Sequence, residues 1–294
     1  MLMRWRCLGG LGVVELGRKV WARASAEDFA TRAAAAAYYG LTATVPFLGL
    51  LVSLAANLVP GPGDPKTPGD STWSEVLEEV PRLAGQLMPE EAVTVVGREL
   101  TRIREAPPVK LLSVGLVLAL WFSSGVFGVL IDALNRIQGV PETRPPWRVW
   151  LTAAGLTLLE AVIMLGTLAS LVVVPVLRRA LGWGDGPSVL SLLGEWAPVT
   201  LGVLLSFAVT ARLGPACPPR WRWITPGSAF GTAVFLAAAS LLRLYVANWG
   251  NYANTYGSLA GVLLLTTWFW IVALIVLVAF QVDKIIDDEC GVQR

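Results

Sequence analysis

Two charged residues sit deep in the apolar stretches of this 294-residue chain, Glu160 and Arg243, and they are the side chains best placed to do chemistry. An ionisable group in hydrocarbon costs at least ~2.5 kcal/mol, so it normally faces the bundle interior or a water-filled path. Glu160 falls about three residues to the cytoplasmic side of the centre of its segment and Arg243 about six to the outer side of its own, roughly 13 to 14 Å apart along the membrane normal. Direct contact would need tilt or a register shift; water or a substrate headgroup could bridge them. The alternative is a structural charge pair, or an Arg243 that snorkels to the headgroups.

Other chemistry is narrowed by what the chain lacks. It contains 0 histidines, which excludes imidazole acid/base catalysis, His-ligated zinc and every triad built on His. The 3 cysteines, Cys7, Cys217 and Cys290, are far apart and show no CxxC spacing, so no disulfide framework and no metal site is expected. The reading is therefore a non-enzyme without metal or cofactor.

The elements that must position Glu160 and Arg243 follow from composition. Hydrophobic residues make up 55% and charged residues 15% of the chain, with a mean hydropathy of +0.62; soluble domains carry about 25% charged residues. Six apolar runs reach the roughly 20 residues needed to cross a bilayer: approximately 33–58, 111–135, 150–177, 189–210, 225–249 and 256–282. They predict one all-α integral membrane domain over 1–294 with six transmembrane helices. Glu15, Arg18 and Lys19 interrupt the first apolar run, so no cleaved signal peptide is expected.

Lys and Arg divide 14 to 8 between alternate connecting segments, with the larger share at the termini and in the second and fourth loops. The positive-inside rule then puts both termini in the cytoplasm. Trp147, Trp150, Trp221, Trp223 and Trp249 stand at span ends, as indoles at the headgroup level should. Residues 11–29 mix Val13, Leu16, Val20 and Trp21 with Arg18, Lys19 and Arg23, which suits an interfacial amphipathic helix or a solvated lead into span one. In the first outer loop the PGPGDPKTPGDS stretch bars regular structure. Beyond it, 73–88 and 90–105 have helical spacing and predict a small external helical cap.

Helix breakers add a second set of candidates. Pro46 removes the N–H that would bond the carbonyl of Thr42, so it kinks or opens span one, and Thr42 and Thr44 could satisfy the freed groups. Broken helices line substrate sites in transporters, although packing alone also produces kinks. Thr225 followed by Pro226 reads as an N-cap and first helical position. Gly227, Gly231 and neighbouring alanines form a small-residue face for close helix packing. Asp132 has Arg136 one turn later as an i,i+4 partner.

The stretches AAAAAYYGLTATVPF (33–47), LLSVGLVLALWFSSG (111–125) and ALNRIQGVPETRPPW (133–147), followed by TPGSAFGTAVF, LYVANW and NTYGSLAGVLLL, resemble the YihY/BrkB family of six-span bacterial inner-membrane proteins. The resemblance covers roughly 27–284 and implies the fold, with a transporter or permease role and no agreed substrate. The positions it singles out are Tyr38, Tyr39 and Pro46 in span one and Ser123, Ser124 and Asn135 in span two. To these it adds Arg144 in the second loop, Pro226 and Gly227 in span five, then Tyr245, Tyr256, Gly257 and Ser258. Where the family usually has a small-small-Glu triplet, this chain has Ala279, Phe280 and Gln281, so a family mechanism needing a carboxylate there is in doubt. The family's ribonuclease BN label fits poorly with a chain that has no His and no acidic cluster in its spans.

The favoured functional expectation is a translocator for a small solute or lipid-like anion, with Glu160, Arg243, Pro46, Tyr39, Ser123 and Ser124 at the pathway. Asn135, Arg136, Arg144 and Arg148 form a candidate cytoplasmic site for an anionic lipid or small molecule, although positive-inside bias alone would put arginines there. Nucleic acid is not an expected partner; the bilayer is, and a homo-oligomer is compatible with the small-residue faces. The alternative is a non-transporting envelope scaffold or interaction protein.

Overall fold

A computed structural model describes residues 12–58, 108–180, 189–217, 223–249 and 259–290. Among these residues all regular structure is helical: α1 (Val13–Ala26), α2 (Phe29–Leu58), α3 (Pro108–Gln138), α4 (Pro146–Ala180), α5 (Val189–Leu213), α6 (Pro226–Trp249) and α7 (Leu259–Glu289). Segments within α4, α5, α6 and α7 are long and apolar enough to cross a membrane: Pro146–Ser170, Trp196–Leu213, Pro226–Val246 and Gly261–Glu289. The expected external cap at 73–105 and the start of the last run at 256–258 lie outside the described residues.

The helix ends are written in local chemistry. Asp28, at φ 51°, turns the chain between α1 and α2, a left-handed position that Asp tolerates better than most residues. There Glu27 N–H donates to the Arg23 carbonyl (2.9 Å), and Arg32 Nε donates to the Glu27 carbonyl (2.9 Å). α3 ends at Gly139 (φ 68°). Gly139 N–H bonds the Arg136 carbonyl and Val140 N–H bonds the Asn135 carbonyl, both at 2.9 Å, the paired reverse bonds of a Schellman cap.

At the start of α6 the cap expected from Thr225 and Pro226 is present. Ser228 N–H donates to Thr225 Oγ1 (3.0 Å) and Thr225 N–H donates to Ser228 Oγ (2.8 Å), the reciprocal logic of a capping box. Pro46 does not end α2, which stays helical on both sides of it. Thr42 Oγ1 donates to the carbonyls of Tyr38 and Tyr39 (3.0 Å each) and Thr44 Oγ1 to that of Gly40 (2.8 Å). The threonines thus bond carbonyls one turn back rather than the Thr42 carbonyl that Pro46 frees, because a hydroxyl on Cβ points toward the preceding turn.

Contacts divide the chain into two compact units, one of Met1–Ala36, Ser124–Ala237 and Trp270–Arg294, the other of Ala37–Ser123 and Ala238–Phe269. In the first, Ala33 and Ala36 of α2 pack on Ala273 of α7, flanked by Val129 and Trp270, and Trp270 Nε1 donates to the Ala30 carbonyl (3.1 Å). A second cluster joins Ile131 of α3, Ala153 and Leu156 of α4, and Val209 of α5. Phe207 of α5 and Phe280 of α7 meet edge to face at 5.8 Å. In the second unit Gly40 of α2 approaches the ring of Phe269 of α7; a Cβ there would lie 3.1 Å from it.

Burial does not follow polarity. Ala33, Ala37 and Ala279 are buried with Ser124, Thr157, Ser228, Thr232 and Gln281, while Leu201 and Leu241 are each 65% exposed. Large apolar side chains such as Leu156 and Ile286 fill the inside as well, but polar side chains buried while leucines face out is an arrangement that lipid, not water, rewards. This is a membrane protein.

Candidate functional site

Glu160 lies on α4 within the segment Pro146–Ser170. Ser206 Oγ donates to its Oε2 (2.6 Å) and Thr210 Oγ1 to its Oε1 (3.2 Å). Ser206 and Thr210 are four residues apart on α5, so they share one face of that helix, and both carboxylate oxygens of Glu160 are engaged. Arg243, on α6, is exposed and belongs to the other compact unit. Tyr38 and Tyr39 are exposed and pack edge to face at 5.7 Å. Pro46 is half-buried. Ser123 and Ser124 are both buried, and Ser123 Oγ has no hydrogen-bond partner among the described residues.

The four residues proposed from sequence as an anion site do three different things. Asn135 Nδ2 donates to Glu142 Oε2 (2.7 Å), and its Oδ1 accepts from Ala216 N–H (2.7 Å). Arg144 forks onto Glu142, Nε to Oε1 (2.9 Å) and Nη2 to Oε2 (2.7 Å), and Nη2 also donates to the Gly214 carbonyl (2.9 Å). Arg144 hydrogen bonds hold the Glu142 carboxyl down at about 2, against the opposing effect of burial, and the same contact raises the Arg144 guanidinium. Asn135, Glu142 and Arg144 thus form a clasp between the α3–α4 loop and the chain after α5. Arg148 stacks over the Trp147 ring at 5.1 Å. Arg136 lines a cavity.

That cavity, about 320 Å³, is bordered by Arg23, Glu27, Arg136, Gly139, Gln281 and Lys284 among others. Arg23 pairs with Asp288 (3.1 Å), as does Lys284 (2.6 Å). Asp132 takes Arg136 (3.3 Å), the pair expected from their spacing, and also Arg32. Lys19 of α1 pairs with Glu289 of α7.

Pro226 and Gly227 meet α7. Gly227 N–H donates to Asp283 Oδ1 (2.8 Å), and Thr225 Oγ1 donates to Asp283 Oδ2, so a carboxylate of α7 sits on the positive end of α6. A Cβ at Gly227 would lie 2.1 Å from the Ala279 carbonyl oxygen, and one at Gly231 would lie 2.7 Å from the Phe207 ring and 2.8 Å from Ala279 Cβ. The close-packing face expected there is real. Tyr245 is half-buried on α6, and Tyr256, Gly257 and Ser258 lie outside the described residues.

A family model described as "Virulence factor BrkB" matches residues 20–294. The chain belongs to the BrkB family. It is also similar to a Bacillus subtilis protein described as ribonuclease-like, YfkH, with 25% identity over 277 residues, covering 92% of this chain and 94% of that protein. No solved structure matches it.

Sequence reasoning missed Asp283, Glu142, Ser206, Thr210, Arg23 and Lys284 as members of these constellations. Their types gave no signal, because hydroxyls in apolar helices and charges near helix ends are ordinary. Among the described residues of this BrkB-family chain, no group of three or more His, Cys, Asp or Glu could hold a metal ion.

Proposed function

We propose that this BrkB-family chain is a six-span protein of the bacterial cytoplasmic membrane that moves a small solute or a lipid-like anion. Both termini are cytoplasmic on this reading, and α1 lies in the inner interface. Val14 (88% exposed) and Trp21 (76% exposed) flank the exposed Arg18 on one face of α1, a mix of apolar and cationic side chains suited to the headgroup boundary.

The observation that carries the translocation reading is Glu160. It is a carboxylate inside an apolar span, drawn off the lipid by two hydroxyls of α5, where ionisable groups ordinarily serve a pathway. The ribonuclease-like name of the Bacillus relative is not carried over. Nuclease chemistry calls for an imidazole or a carboxylate-held metal, and the chain has 0 histidines.

The test is lipid and metabolite profiling of a deletion strain complemented with wild type or Glu160→Gln at matched membrane abundance. The glutamine keeps an oxygen for the Ser206 and Thr210 hydroxyls while removing the charge, so a latch between α4 and α5 survives and a charge-dependent pathway does not. Glu160→Gln is expected to accumulate the same species as the deletion. A wild-type profile overturns the reading, and if a chain lacking 73–105 then behaves as the deletion, the scaffold role replaces it.

A further inference from the structure

The charges around the cavity at the ends of α1, α3 and α7 are partly structural. Arg23 and Arg136 fall in the last turns of α1 and α3, where cations complement the exposed carbonyls. Asp132 is shared by Arg32 and Arg136, and Asp288 by Arg23 and Lys284. Each aspartate therefore serves two cations. With Glu27 included, four cations face three carboxylates, and a guanidinium with one or two donors engaged keeps others to offer.

Gln281 is what helix capping and ion pairing leave unexplained. It is 1% exposed, lines the cavity, and its Nε2 has no hydrogen-bond partner among the described residues. An unmet buried amide donor costs about 1–3 kcal/mol, and interiors rarely retain one without a ligand or water to accept from it. An –NH₂ group can donate only to a lone pair, and the neighbouring Arg23, Arg136 and Lys284 carry donors alone. An acceptor for it must carry a lone pair, and one that also answers the three cations of the cavity is an oxyanion rather than a cation or a second amine.

We propose that this cavity binds a phosphate group, presented by a small phosphate ester or by a lipid headgroup, with Gln281 Nε2 as the buried donor and Arg23, Arg136 and Lys284 as the cationic rim. Guanidinium forks match the oxygens of phosphate. A volume of about 320 Å³ is at the low end for ligand pockets, which suits a headgroup-sized guest. The site is distinct from Glu160, and binding there stands even if Glu160 proves to be only a latch.

The test uses the full chain in detergent and in nanodiscs, with inorganic phosphate as the probe. Phosphate is titrated against chloride at matched ionic strength, reading thermal stability. Millimolar phosphate is expected to raise Tm. Arg136→Gln, Lys284→Gln and Gln281→Leu are each expected to weaken phosphate by about tenfold or more, while Arg212→Gln, on α5 and outside the cavity, leaves it unchanged. Arg136 and Lys284 are accessible, so their variants report even if Gln281→Leu folds poorly. Nanodiscs of phosphatidylcholine with or without phosphatidic acid separate the sources: competition by phosphatidic acid assigns a lipid headgroup, and undiminished phosphate binding assigns a soluble ester. No phosphate stabilisation together with no retention of phosphatidic acid over phosphatidylcholine overturns the proposal, as does equal weakening by Arg212→Gln.

Discussion

Substituting Gly227 by alanine tests whether the α6–α7 contact holds this fold together. The new Cβ would lie 2.1 Å from the Ala279 carbonyl oxygen and 2.7 Å from Asp283 Cγ, whereas a carbon meets a carbonyl oxygen comfortably at about 3.3 Å. The clashing atoms are backbone and a short side chain, so no rotamer relieves them. α6 and α7 must part by about 1 Å, which carries the 2.8 Å Gly227–Asp283 bond beyond the range of a good N–H···O contact. Overpacking of this kind costs about 1–3 kcal/mol, and loss of a hydrogen bond to a charged acceptor about 1.5–3 kcal/mol. Alanine returns up to about 1 kcal/mol through its helix propensity. The expected net destabilisation is about 1.5–6 kcal/mol.

Thermal unfolding of the full chain in detergent reads this effect against Gly155→Ala. Gly155 sits on α4 with nothing within 4 Å of an added Cβ, so alanine there should be neutral or mildly stabilising. Because the cost at Gly227 runs partly through Asp283, Gly227→Ala combined with Asp283→Ala should lose less than the sum of the two. A Gly227→Ala protein within about 0.5 kcal/mol of Gly155→Ala would refute the close-approach argument.

Three further outcomes follow from the same geometry. Gly202→Ala should cost less than Gly227→Ala, since its Cβ meets the Thr167 side chain (hydroxyl at 2.3 Å) and no backbone, and that hydroxyl can turn away at the loss of its 2.8 Å bond to the Ile163 carbonyl; equal losses in the same assay would contradict this. Ser206→Ala removes the 2.6 Å donor to Glu160 and should destabilise by about 1–3 kcal/mol, more than Thr210→Val, which removes the 3.2 Å one; the reverse order would point to a different partner for the carboxylate. Glu142, held at about 2 against an ordinary 4.5, contributes stability that is fully present above its unfolded value and lost as pH falls toward 2. Wild type minus Glu142→Gln should therefore show a stability difference that fades between pH 4.5 and 2, and a flat difference would sink the clasp.

Axial order was legible in the sequence, and rotation was not. Apolar run length marked the helix ends to within about four residues except at the end of α7, which runs seven residues past the expected 282. Among the described residues, four of the six helices hold segments long and apolar enough to cross a membrane. Local rules placed the Thr225–Pro226 cap, the Asp132–Arg136 pair and the small-residue face at Gly227 and Gly231. A soluble helix would also reveal its buried face by an apolar stripe, but here lipid and protein both accept apolar side chains. Leu156 and Leu241 are the same residue type, yet one is 1% and the other 65% exposed. Periodicity then says little about which residues meet.

That loss of rotational information explains the altered picture of the charged residues. Run length placed Glu160 and Arg243 along the normal and suggested that one ligand could span both. The partners of Glu160 instead stand 46 and 50 residues further along, on α5, among hydroxyls that look unremarkable in sequence. Asn135 and Arg144 show the same effect at a surface. As sequence they are a polar residue and a cation beside a membrane, free to take an anion; in the fold Glu142 already occupies both. An arginine counts toward a ligand site only after its internal carboxylates are counted. By that test Arg136 remains open to a ligand, because its one aspartate is divided with Arg32 and its cavity is also lined by Gln281, whose buried amide has nothing to donate to.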